Sequence, residues 1–98
     1  MTAPLVPVQP LVVEEIDDEL CLFRPDIDEV LVLNTTASDI WRLVDSRTGA
    51  DEIAEVLATA YGANRGQVLS DVRATVADLS ARGFLRTQPV ADNATDER

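Results

Sequence analysis

Apolar residues fall into periodic blocks between Leu11 and Leu85, and the period changes once along the way. Two short runs rich in Val, Ile, Leu and Phe, Leu11 to Ile16 and Glu19 to Arg24, are separated at Asp17-Asp18, where turn-forming acids break the apolar character. This predicts a hairpin. After Pro25-Asp26-Ile27-Asp28 comes Glu29-Val30-Leu31-Val32-Leu33, too short for a helix and bounded by a Pro/Asp cluster and by Asn34, which predicts a third strand. Strand side chains alternate between faces, so a run apolar at every position from Val30 predicts that both faces, or the edge, are covered by something.

The period then becomes helical. Thr36 followed by Asp39 has the spacing of a capping box and predicts a helix from Thr35 or Thr36 to about Asp45, with Ala37, Ile40, Trp41 and Val44 on one face. Thr48 and Asp51 repeat that spacing for a second helix with the stripe Ile53, Val56, Leu57 and Ala60, stopped by Gly62. Asn64 caps a third helix, expected to run to about Arg82 before Gly83, whose Val68, Leu69, Val72, Val76 and Leu79 lie within an arc of roughly 100°. Phe84 and Leu85 are expected to fold back and close the core. Three antiparallel strands followed by three closely linked helices predict an α+β domain of winged helix-turn-helix topology. Its expected span is residues 11–86, flanked by disordered arms over 1–10 and 87–98, where polar residues and Pro break any period.

Charge narrows the partners. The 98-residue chain carries 18 acids against 8 bases, all of them Arg, for a formal charge of −10. A DNA-binding module needs a basic face to displace counterions, so nucleic acid is not an expected partner. Eight of the acids (Glu14, Glu15, Asp17, Asp18, Glu19, Asp26, Asp28, Glu29) lie between positions 14 and 29, opposed only by Arg24. That segment points to a basic partner, or more simply to a solvated strand edge.

Candidate chemistry is sparse. There is no His for general-base work, no Gly-rich phosphate loop, no metal-ligand spacing and no nucleophile beside a base, so neither an enzyme nor a resident cofactor is expected. Asp17, Asp18, Asp26 and Asp28 lack the loop pattern of a calcium site. Cys21 reads as a small hydrophobe, Trp41 as core, and Asp45-Ser46-Arg47 departs from the Asp-Ser-Leu of an acyl carrier. No run approaches the roughly 20 apolar residues that span a bilayer, and the N-terminus lacks a secretion signal, so the expected compartment is the cytoplasm.

One stretch says more. Leu33-Asn34-Thr35-Thr36-Ala37-Ser38-Asp39-Ile40-Trp41-Arg42-Leu43-Val44-Asp45 resembles the PqqD family pattern Leu-Asn-x-Thr-Ala-x-x-Ile-Trp-x-Leu-hydrophobic-Asp. Arg47-Thr48, Glu52-Ile53-Ala54, Leu57, Tyr61-Gly62, Val68, Asp71-Val72, Leu79 and Gly83-Phe84-Leu85 continue the likeness, which spans about Leu20 to Leu85. Thr75-Val76 departs from it, standing where family members often carry bulkier Phe-Leu. The resemblance implies a non-catalytic peptide chaperone. In it the leader of a ribosomally synthesised precursor adds as an antiparallel strand beside the third strand, against the third helix, for presentation to a maturation enzyme such as a radical SAM enzyme or a leader peptidase.

The residues agree with that implication. Glu29, Val30, Leu31, Val32 and Leu33 form a short apolar strand able to accept a guest if it lies at the sheet edge. Val68, Leu69, Val72 and Val76 are candidate pockets, with Arg65 or Arg73 at the rim to meet a leader carboxylate. The plainer reading is that at least half of these apolar residues close the core. Two other functions fit the topology, a winged-helix DNA-binding regulator and a structural subunit that stabilises a partner enzyme.

Overall fold

The computed structural model describes residues 3–87. Its elements follow in the order β1 (Leu5–Pro7), β2 (Val12–Ile16), β3 (Glu19–Arg24), β4 (Glu29–Val32), α1 (Thr35–Arg42), α2 (Ala50–Tyr61), α3 (Arg65–Ala81) and β5 (Leu85–Thr87). The expected α+β order of a sheet followed by three helices is present, with β2-β3-β4 as an antiparallel sheet. Ile16 pairs with Glu19 across a two-residue turn in which Asp17 and Asp18 both have positive φ, 53° and 70°. A two-residue loop of that handedness matches the twist of the strands it joins, and Asp is among the few residues that tolerate it.

Alternation along β3 decides the core face. Leu20 and Leu22 are buried, while Glu19, Cys21 and Phe23 on the other face are only partly covered. The helices bring Ile40, Trp41, Ile53, Leu57, Val68, Val72 and Leu79 against that buried face, and Phe84 and Leu85 close it as expected.

The caps differ in detail from expectation. Asn34, one residue before α1, is its N-cap, with its side-chain oxygen accepting from the Ala37 amide at 2.8 Å, so Thr36 does not cap the helix. The helix ends at Arg42, short of the expected Asp45. At α2 the cap is Gly49, whose amide donates to Glu52 Oε1 at 3.0 Å. The cap therefore falls one residue after the expected Thr48, and Asp45 Oδ1 accepts from the Arg47 and Thr48 amides at 2.9 and 2.8 Å. These bonds, led by the one from Arg47, hold the Asp45 carboxyl below its ordinary range. Gly62 and Gly83 terminate α2 and α3 in the left-handed region as predicted, and Asn64 caps α3 by accepting from the Gln67 amide.

The expected arm over residues 1–10 is corrected by the structure. Leu5–Pro7 pairs antiparallel with Leu85–Thr87, the Leu5 amide donates to the Thr48 carbonyl at 3.0 Å, and Leu5 is among the most buried side chains. An apolar residue flanked by Pro shows no period, so its strand was invisible until a partner 80 residues away supplied the ladder. Of the tail expected over 87–98, Thr87 belongs to β5 and pairs with Leu5, and residues 88–98 lie outside the described residues.

Ser38 joins sheet to helix. It is fully buried on α1, and its Oγ accepts from the Leu20 amide at 2.9 Å and donates to the Leu33 carbonyl at 3.4 Å. With β4 ended at Val32, no strand remains to take the Leu20 N–H, so the hydroxyl replaces it. Ser38→Ala is therefore expected to leave a buried donor unsatisfied and to cost about 1–3 kcal/mol of stability in urea unfolding. A loss below about 0.5 kcal/mol would show that the hydroxyl is dispensable.

Candidate functional site

β4 lies at an edge of its sheet, paired with β3 on one side. The register sets which backbone groups stay open. Leu33 donates to the Leu20 carbonyl and Leu31 pairs with Leu22, so the groups of Leu31 and Leu33 point toward β3. The intervening Val30 and Val32 direct their N–H and C=O groups outward, to an edge that no described strand occupies. β1 is engaged with β5 in a separate sheet.

Beside that edge runs a groove of about 280 Å³, lined by Leu31, Val32, Leu33, Asn34, Ala37, Ala74, Thr75, Asp78 and Leu79. β4 and the start of α1 form one wall and the second half of α3 the other. Small side chains at Ala37, Ala74 and Thr75 keep it open. An extended chain laid along β4 would send alternate side chains into this space.

Of the residues singled out in the sequence, Leu31, Val32 and Leu33 line the groove, and Val30 contributes its backbone to the open edge. Glu29 pairs with Arg24 at the start of the strand. The third-helix residues fall elsewhere. Val68 and Val72 are buried in the core, and Val76 packs against it. Arg65 and Leu69 line a separate hollow with Asp51 and Ala54 of α2, and Arg73 reaches Asp51 at 3.2 Å. The apolar centre of α3 faces the core, so a groove is lined from one of its flanks, and the flank that meets β4 carries Ala74, Thr75 and Asp78. Arg65, Leu69 and Arg73 sit on the opposite flank. The one sequence signal for this wall was Thr75, read as a departure from the family resemblance.

Arg24 braces the space between sheet and helix. Its Nη1 donates to the Gly83 carbonyl at 2.7 Å just past α3, while Nε and Nη2 hold Asp26 at 3.2 and 2.6 Å. At Gly83 φ is +89°, a conformation that strains any side chain, and a Cβ there would also press on that guanidinium at 3.0 Å.

The arginines of α3 and its C-cap are all ion-paired: Arg65 with Glu55 at 3.4 Å, Arg73 with Asp51 at 3.2 Å and Arg82 with Asp78 at 3.1 Å. Outside the groove, Tyr61 donates to Asp39, and that bond pushes the phenol up to about 12. Among the described residues no group of three or more His, Cys, Asp or Glu is placed to hold a metal ion, and no helix is long and apolar enough to cross a membrane.

Comparison with known proteins identifies the family and the fold. The "PqqA binding protein" of Rhodopseudomonas palustris (strain BisB5) is 36% identical over 58 residues, 59% of this chain, and the chain spans 57% of the length of that relative. Among solved structures, "Lasso peptide synthetase B1 complexed with the leader peptide" superposes with a TM-score of 0.75 at 26% identity, covering 86% of this chain and 99% of that one. "TbiB1 in Complex with the TbiA(beta) Leader Peptide" shares the fold at a TM-score of 0.75 and 23% identity, covering 92% and 100%. The family model of coenzyme PQQ synthesis protein D matches residues 19–85, from the first paired residue of β3 to the first of β5, and the chain belongs to the PqqD family.

Proposed function

We propose that this chain is a non-catalytic recognition element that binds the leader of a ribosomally made precursor peptide by strand addition to β4 and presents it to a modifying enzyme in the cytoplasm. The observation that carries this reading is the unoccupied edge at Val30 and Val32 directly beside the groove against α3. Backbone groups supply affinity in strand addition and pockets for alternate side chains supply selectivity. Two solved relatives of the same fold are, by their descriptions, complexes with leader peptides. The alternative of DNA binding lacks its physical basis, because the arginines of α3 are already paired within a chain of charge −10.

The open groups of Val30 and Val32 provide about four hydrogen bonds at ~1 kcal/mol each. Two or three anchors in the groove add ~2 kcal/mol each. Set against an association cost of at least ~4 kcal/mol and the ordering of the leader, at most about 4–6 kcal/mol remains, which is weak binding with a Kd of tens of micromolar at the favourable end.

The test removes the two outward donors. Proline is tolerated at an edge strand where its missing N–H would face away from the sheet, so a Val30→Pro, Val32→Pro variant should stay folded. Titrated with the synthetic leader of the precursor encoded beside this chain, it is expected to bind at least about tenfold more weakly than the parent. Unchanged binding by a variant with unchanged circular dichroism and melting would rule out strand addition.

A further inference from the structure

The sequence predicts cover for both faces of β4 or for its edge, and among the described residues only the inner face is covered. Cross-strand register puts Val12, Phe23 and Val30 in one row on the outer face of the sheet, and Glu14, Cys21 and Val32 in the next. Val30 and Val32 are 57% and 66% exposed and Val12 is 44% exposed. Ile27, in the turn beside the first row, is 50% exposed. Threonine or charged residues would be ordinary here, and adjoining branched apolar side chains on an open face mark an interaction surface.

Its surroundings are acidic. Glu14 and Glu19 stand on this face, with Asp17 and Asp18 in the turn at one end and Asp28 in the turn at the other. Among the described residues none of these five forms an ion pair, whereas Glu15 on the inner face reaches Arg42 and Asp26 is held by Arg24. A second copy would bring the same acids face to face, at a cost for like charges across an interface. Residues 88–98 hold Asp92, Asp96 and Glu97 against Arg98, so the tail is a poor match by charge as well. The fitting occupant is a different protein whose apolar patch is ringed by Arg or Lys.

Position says which protein. A guest antiparallel to β4 passes Val32 before Val30, so its downstream part leaves beside the row Val12-Phe23-Val30 and Ile27. Residues to be modified follow the leader, so the catalyst acting on them has to be near that end. We propose that the outer face of β2-β3-β4, through Val12, Phe23, Val30, Cys21 and Val32 and the acids around them, is where the modifying enzyme docks. This rests on leader binding at β4 for the identity of the occupant.

The experiment keeps the two readings apart. A Val12→Thr, Ile27→Thr variant removes apolar side chains of this face and leaves β4 and the groove lining unchanged, and a Glu14→Lys, Glu19→Lys variant reverses the charge of the face. Each is titrated separately with the purified leader-dependent enzyme encoded beside this chain, without leader, and with the labelled leader peptide alone. The expected result is a loss of at least about tenfold in enzyme affinity for both variants, with the parent complex weakening as salt rises and leader affinity unchanged within about twofold. Enzyme binding unaffected by either variant, or no complex with the parent, overturns the proposal. So does a concentration-dependent dimer of the parent that the threonine variant abolishes, which would assign the face to a second copy. A parent that binds the enzyme through this face but fails to bind leader would overturn the strand-addition reading and leave the docking face standing.

Discussion

Thr75→Trp is expected to weaken leader binding by about 100-fold or more while leaving the fold in place. Thr75 is half-buried on the groove flank of α3, and an indole there would fill space that a guest's anchor side chains need. Each anchor lost forfeits about 1.5–3 kcal/mol, and a factor of ten corresponds to about 1.4 kcal/mol, so blocking two anchors removes about two to four powers of ten. Thr and Trp differ little in helix propensity, so the melting temperature should move by no more than a few degrees. Ala77→Trp, on an exposed part of the same helix outside the groove, is the control and should bind leader like the parent. Leader affinity that survives Thr75→Trp would place the guest elsewhere than this groove.

The largest effect on stability is expected at Phe84. Its ring is fully buried, its amide donates to the Leu79 carbonyl at 2.9 Å, and its carbonyl accepts from Val8 at 3.0 Å, so it closes the end of α3 and ties in the segment that follows β1. Phe84→Ala keeps the backbone bonds and removes the ring, a change that costs about 3–5 kcal/mol in protein cores. Small domains have only about 5–15 kcal/mol in total, and 1 kcal/mol shifts the midpoint of a domain this size by roughly 4–8 °C. A fall of roughly 15–30 °C in the thermal midpoint is therefore expected, and a shift under about 5 °C would show that the neighbours refill the space.

The two predictions differ in how far the sequence pointed to them. Phe84 was legible: an apolar pair directly after a glycine stop, at the end of a helix with one apolar face, has to turn back onto that face. Thr75 was visible only as a departure from a resemblance, with nothing to say which wall it stood in. Arg65 and Arg73 show the opposite case. They carry the right charge on the right helix, but α2 captures both through Glu55 and Asp51, on the flank turned away from β4.

Element order, the hairpin at Asp17-Asp18, the stops at Gly62 and Gly83 and the strand from Glu29 were all readable from the chain, because each depends on residues within a turn or a few pleats of one another. Local periodicity and turn chemistry act at that range. Three things came only with the assembled molecule: the pairing of Leu5–Pro7 with Leu85–Thr87, the choice of α3 flank that faces β4, and the freedom of the outer edge at Val30 and Val32. All three are set by contacts between segments far apart in the chain. An isolated α3 presents both flanks equally, and only when α2 occupies one of them does the other become the wall of a groove.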